Sequence, residues 1–144
     1  AVFYPHFEAQ RFLSAFHTEN PHVKIGALGQ MDVQTLLMAS ALLITDFSSI
    51  QFDFAYMLKP EIYYQFDEAR YWGTHHDRGY FDYRVDGFGA VVTTQEALLT
   101  AIETALASEC AVTPEMQKHI RDTFGALDDH NCERNHQAIR ELMS

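Results

Sequence analysis

Leu43-Ile44-Thr45-Asp46-Phe47-Ser48-Ser49-Ile50-Gln51-Phe52-Asp53-Phe54 is the stretch on which the fold turns. With Leu42 it opens as an apolar run bounded by Asp46, the pattern of a central parallel strand covered on both faces. Ser48 or Ser49 then caps a helix that carries Ile50, Phe52, Phe54, Ala55 and Leu58 and stops at Lys59-Pro60. A strand that turns into a helix through Thr-Asp-x-Ser-Ser gathers hydroxyls beside amides that lack intrahelical partners. That is the chemistry of an anion site. Taken alone, Ser-Ser before a helix reads first as ordinary capping. Asp46 would repel a phosphate unless turned aside, so its expected role is to brace the turn or to bond the helix N-terminus.

Outward from this stretch, strands alternate with helices. Ala1 to Tyr4 is a short apolar run, Glu8 to Phe16 has helical spacing, and Val23 and Ile25 alternate within His22 to Ala27. Asp32 caps a helix through Ala41. Downstream, Glu61 to Tyr64 and Ala90 to Val92 read as strands, and a helix starts at Thr94 or Gln95 and runs through Ala107 with Leu98, Leu99, Ile102 and Leu106 inward. Pro114 to Phe124 and Cys132 to Met143 read as closing helices, and Gln65 to Gly89 as a long functional loop. Strands separated by helices imply βαβ units and an α/β, doubly wound, parallel sheet. We expect three layers, five or six strands, and Leu42 to Thr45 at the centre. Ligands of such sheets sit at the carboxyl ends of the strands, where the polar clusters of this sequence fall.

The 144 residues fit one ordinary domain, and the apolar start at Ala1 reads as the edge of a piece cut from a longer protein. Ten Lys and Arg against twenty Asp and Glu give a formal charge of −10, which argues against nucleic acid as a partner. Small phosphorylated ligands remain compatible, since amides and hydroxyls bind phosphate locally. Cys110 and Cys132 have no metal or disulfide spacing, and adjacent His75 and His76 point to opposite sides of an extended segment. We expect neither a metal nor a cofactor. No apolar stretch approaches a bilayer span and no leader pattern is visible, so a cytoplasmic location is the expectation.

As a whole, the quoted stretch resembles the LITDYSSI-x-FDF signature of the CDP-glycerol glycerophosphotransferases. The resemblance continues through Lys59-Pro60 and Tyr63-Tyr64, then Asp67, Tyr71 and Arg78-Gly79-Tyr80-Phe81-Asp82-Tyr83. It ends in Phe88-Gly89-Ala90-Val91-Val92 and Asp129-His130-Asn131-Cys132-Glu133-Arg134. The resemblance implies the C-terminal, nucleotide-binding half of a GT-B-like enzyme that works with an N-terminal half. It implies transfer of glycerol phosphate from CDP-glycerol, or a related CDP-polyol, to a polyol-phosphate polymer or lipid-linked acceptor of teichoic-acid or capsule type, with release of CMP. The full-length protein would then be peripheral at the inner face of the membrane.

By the same resemblance, Thr45, Ser48 and Ser49 would hold the donor phosphates and Arg78 would add charge; an ion pair of Arg78 with Asp77 or Asp82 is the plainer reading. Asp46, Asp53 and Asp82 would brace the loops. His6, in Tyr4-Pro5-His6-Phe7, matches a histidine at the start of the family's C-terminal half, although the family order is His-Pro. It would act as acid, base or phosphate ligand; a strand-end histidine bonded to backbone is the structural alternative. Tyr71, Trp72, Tyr80, Phe81 and Tyr83 are expected to pack the loop onto the domain, and His17, His22, His119, His130 and His136 to lie at the surface. Two other readings fit parts of the pattern: half of a GT-B sugar-nucleotide glycosyltransferase or epimerase, and a non-catalytic flavodoxin-like or receiver-like module.

Overall fold

The computed structural model describes residues 1–74 and 79–143. The chain divides into two compact units, Ala1–Ser40 and Ala41–Ser144.

In the first unit, β1 (Val2–Phe3) pairs in parallel with β2 (Lys24–Ile25). Between them runs a 3-10 helix, Ala9–Ala15, kinked at Phe12 where φ is −110° and ψ 23°. Gln10 ties this crossover down by donating to Pro5 O at 2.9 Å and accepting from Leu28 N at 3.1 Å. The unit ends in α1 (Val33–Ala39), started by Asp32, whose carboxylate accepts from Thr35 N and Thr35 Oγ1 at 2.8 and 2.6 Å. This is the cap expected from the sequence, a local bond worth about 1 kcal/mol.

The second unit runs β3 (Leu43–Thr45), α2 (Ile50–Tyr56), β4 (Glu61–Tyr64), α3 (Glu68–Thr74), β5 (Gly89–Val92), α4 (Gln95–Ala107), α5 (Pro114–Phe124) and α6 (Asn131–Leu142). Its sheet is parallel, in the order β3-β4-β5. Thr94 and Thr113 cap α4 and α5 through bonds to Ala97 N and Met116 N. Ala55, Phe88 and Ile120 form the buried centre. Phe52, Leu58, Phe81, Val112, Met116, Phe124 and Leu127 close around it.

The α/β class and the parallel pairing agree with the sequence. The arrangement of strands differs: among the described residues the first unit holds a parallel pair and the second a three-stranded sheet. The central strand of the larger sheet is β4, while β3 lies at its edge with Ile44 44% exposed. A continuous apolar run does not by itself mark the middle of a sheet. Here the middle goes to Glu61-Ile62-Tyr63, whose polar atoms are buried because most of them are bonded. The stripe expected on α4 is also narrower, since Leu99 and Leu106 are exposed while Leu98 and Ile102 are half-buried. This helix packs chiefly on β4 and β5, which cover only part of it.

The β4–β5 pairing requires a glycine. Gly89 pairs with Glu61, and a Cβ there would run into the Glu61 carbonyl oxygen, which is backbone and cannot yield. Gly89→Ala should therefore cost about 1–3 kcal/mol of stability, read as a lower urea midpoint with an unchanged slope.

Candidate functional site

The turn from Thr45 to Ser49 joins the carboxyl end of β3 to α2. Asp46 Oδ1 accepts from the adjacent Phe47 N at 2.6 Å, and the Asp46 carbonyl accepts from Gln65 Nε2 at 3.2 Å. Ser48 Oγ accepts a long bond from Ile50 N at 3.5 Å, whereas Ser49 stands at the cap position with no bond from its side chain. Among the described residues, the Ser48 and Ser49 amides have no acceptor. The turn thus presents two amides and an exposed hydroxyl to any anion that reaches it.

Aromatic rings hold this turn from the side. Phe47 stacks face to face on Tyr71, with centroids 3.8 Å apart and planes at 5°. Its edges meet Trp72 at 5.6 Å and Tyr83 at 5.7 Å. Each such pair adds about 0.5–1.5 kcal/mol to what burial alone contributes. Burial and the nearby Asp46 carboxylate raise the Tyr71 hydroxyl above its ordinary range. The segment after Gln65 is therefore only partly a loop. α3 supplies Tyr71 and Trp72, and the Asp82–Asp86 turn supplies Tyr83. Asp82 Oδ1 accepts from Arg84 N at 2.8 Å, and Asp86 Oδ2 accepts from Asp82 N at 2.7 Å. Arg84 then grips Glu68 of α3 with both guanidinium nitrogens, at 3.0 and 2.9 Å. Tyr80, by contrast, is fully exposed.

Beneath the turn lies a buried polar row that sequence reasoning did not single out. Glu61, Tyr63 and Gln65 alternate along β4 and share one face. Tyr63 Oη lies 2.6 Å from Gln51 Oε1 at the start of α2, bonds Glu61 Oε1, and accepts from Phe88 N at 3.0 Å. One hydroxyl hydrogen cannot serve two acceptors. The contacts are satisfied together either when Tyr63 donates to Glu61 and the Gln51 amide is turned to donate to Tyr63, or when a protonated Glu61 donates to Tyr63 and frees the Tyr63 hydrogen for Gln51. Burial pushes the Glu61 carboxyl up to about 7, against the lowering effect of its Tyr63 bond. Its second oxygen is buried without a partner among the described residues. Burial, then the Glu61 charge, raises Tyr63 far above the usual phenol range. Tyr83 is pushed up to about 12 by burial first and Tyr71 second, against a lowering bond from Gln51. The signal in the sequence was the period-two polar pattern Glu61-x-Tyr63-x-Gln65, which is unusual for a strand that continues Lys59-Pro60 into the core.

The other expected site residues are distributed as follows. Thr45 is half-buried at the end of β3, and Asp53 is exposed in the first turn of α2. His6 lies in the first unit, just past β1. Its carbonyl accepts from Ala9 N at 2.8 Å and from Gln10 N at 3.2 Å. Its Nδ1 accepts from Glu8 N at 3.4 Å, so a neutral ring carries its hydrogen on the exposed Nε2. This is the backbone bonding of the structural alternative. Arg78 and the His75-His76-Asp77 cluster lie outside the described residues. Of the histidines read as surface groups, His119 is instead half-buried, with its ring 5.7 Å from Phe88. The Asp129–Arg134 motif is a clasp. Arg134 bonds both Asp128 oxygens at 2.7 and 3.2 Å, and Asn131 Nδ2 donates to Tyr56 Oη, which donates to Asp128 O at 2.9 Å. The Arg134 guanidinium holds Asp128 down to about 2. Among the described residues no helix is long and apolar enough to cross a membrane.

The chain belongs to the CDP-Glycerol:Poly(glycerophosphate) glycerophosphotransferase family, a family of transferases, which it matches over residues 2–139. It is 31% identical over 141 residues to the minor teichoic acid biosynthesis protein GgaB of Bacillus subtilis (strain 168), covering 98% of this chain and 15% of that protein. It is 36% identical over 72 residues to the teichoic acid glycerol-phosphate transferase of Staphylococcus aureus (strain NCTC 8325 / PS 47), covering 50% of this chain and 18% of the relative. It is 40% identical over 75 residues to the teichoic acid poly(glycerol phosphate) polymerase of Bacillus subtilis (strain 168), covering 50% of this chain and 10% of the relative. The chain thus spans less than a fifth of the length of these relatives. No solved structure matches it.

The Glu61 proton gives the fold a defined pH response. A carboxyl whose folded pKa is raised from 4.5 to about 7 contributes stability that is complete below 4.5 and is lost as pH rises through 7. The loss should approach roughly 3 kcal/mol at full ionisation. Urea unfolding of the wild-type chain should show it between these pH values, and Glu61→Gln, which keeps a donor without a titrating group, should flatten the profile there.

Proposed function

We propose that residues 1–144 form the nucleotide-binding, Rossmann-like C-terminal half of a GT-B-like enzyme that transfers glycerol phosphate, or a related polyol phosphate, from a CDP-polyol donor. The acceptor is a teichoic-acid or capsule-type polymer or its lipid-linked primer, and CMP leaves. The observation that carries this reading is the Thr45–Ser49 turn, with two amides unpartnered among the described residues and the Ser49 hydroxyl set in the segment that resembles the family signature. Thr45, Ser48 and Ser49 take the donor phosphates and Arg78 adds positive charge. Asp46, Asp53 and Asp82 brace the surrounding loops. In the transfer, an acceptor hydroxyl oxygen attacks the β-phosphorus, the bond from that phosphorus to the CMP oxygen breaks, and the hydroxyl proton passes to a base. Such a reaction depends on alignment and on stabilising the charge of the transferring group. His6, with its outward Nε2, is the acid–base candidate that this chain supplies. The remaining groups come from an N-terminal half, and the whole enzyme works at the inner face of the membrane, where lipid-linked acceptors are found.

Calorimetry with CDP, UDP and GDP tests the donor class, and CDP should bind best. Ser48→Ala combined with Ser49→Ala should weaken CDP binding by ~1–3 kcal/mol, the scale of lost bonds to a charged group; unchanged affinity would remove the phosphate assignment.

His6 is tested in the full-length protein. His6→Ala should lower turnover by roughly 10²-fold, as for other lost acid–base groups, while CDP affinity stays within about twofold. Near-normal turnover in this variant would leave His6 as a strand-end structural residue.

A further inference from the structure

We infer that Gln65 is a positioning residue for the donor turn, holding the Asp46–Phe47 peptide so that its carbonyl faces the protein and the following two amides face the ligand. The inference rests on the donor reading given above and deepens it. Gln65 is 1% exposed, and its backbone is fixed because its N–H donates to Val92 O at 2.9 Å, extending the β4–β5 ladder by one residue. From that fixed origin its side chain reaches Asp46 O at 3.2 Å. The N–H end of the same peptide is held by Asp46 Oδ1 at 2.6 Å. The peptide is therefore clamped at both ends by two different side chains.

The consequence for an anion is electrostatic. A peptide carbonyl at the mouth of the turn would place partial negative charge against a phosphate, and a flip of this peptide is the low-cost motion of such a turn. Gln65 opposes that flip because it would strand both a buried side-chain amide and the carbonyl. The clamp also decides which donors remain. Phe47 N–H is spent on Asp46, whereas Ser48 and Ser49 keep theirs. Two other bonds from neighbouring structure act in the same direction, Tyr63 on Gln51 and Tyr71 on Phe47, but neither touches the peptide that must not turn.

The test uses the 144-residue chain with CDP-glycerol as probe. Gln65→Leu keeps the volume and removes the donor. It should weaken CDP-glycerol binding about tenfold and speed amide exchange at Phe47, the effect of one lost buried bond. Gln65→Glu supplies the variant with its own control. At about pH 8 its carboxylate opposes the Asp46 carbonyl and binding should fall further, whereas at about pH 5.5 a buried, protonated carboxyl donates again and most of the affinity should return relative to wild type. A merely structural role for Gln65 predicts no such acid rescue. Wild-type affinity in Gln65→Leu, or equal losses at both pH values in Gln65→Glu, would overturn the inference while leaving the donor reading intact. Failure of the wild-type chain to bind CDP-glycerol would remove both.

Discussion

The Tyr63 hydroxyl is the point through which the larger unit is tied together. It meets Gln51 of α2, Glu61 of its own strand and the amide of Phe88, all in the interior. Each of these groups would cost about 1–3 kcal/mol if buried without a partner. The helix start, the central strand and the approach to β5 are thus held to one another by a single oxygen. Apolar packing alone would not fix them so tightly, because rings and aliphatic side chains tolerate small slides that a three-way hydrogen bond does not.

The aromatic cluster extends that order to the surface. Phe47 sits inside the polar turn but belongs to the packing, stacked on Tyr71 and edged by Tyr83, whose ring in turn contacts Tyr63 at 5.1 Å. Displacing the turn would break stacking above the sheet and hydrogen bonds below it at the same time. That coupling is how a stretch rich in Ser, Asp and Thr can hold a defined shape without metal-like charges or a disulfide to stiffen it.

Much of this was legible in the sequence, for identifiable reasons. Capping residues act locally, so Asp32 announced its helix, and Lys59-Pro60 announced a stop. The turn itself was legible because its residue types are chemically uncommon in that order. Strand order was not. Leu42 to Thr45 looked central because apolar runs imply burial, yet the edge of the three-stranded sheet holds it, while a strand containing a glutamate and two tyrosines takes the centre. Burial of Glu61 depends on Gln51, Tyr63 and Phe88, which are brought to it only by the tertiary fold. No window along the chain contains that information. Gln65 escaped notice for the same reason, since its partner Asp46 is 19 residues away.

The charge of the turn adds one further constraint on what the site can hold. Between Thr45 and Asp53 there are two carboxylates and no Lys or Arg, within a chain of formal charge −10. A highly charged anion would meet net repulsion there, softened by solvent and by screening over about 8 Å at physiological salt. Asp46 reduces its own contribution by directing one oxygen at the Phe47 amide. What the turn offers instead is dipoles: two amides and a hydroxyl, fixed before the ligand arrives and therefore needing little reorganisation to bind. Dipoles suit a diphosphate diester, which carries one negative charge on each phosphorus, better than a terminal phosphate carrying two. A ligand carrying more charge than these dipoles balance would need cations from beyond the turn, since the segment from Thr45 to Asp53 holds none.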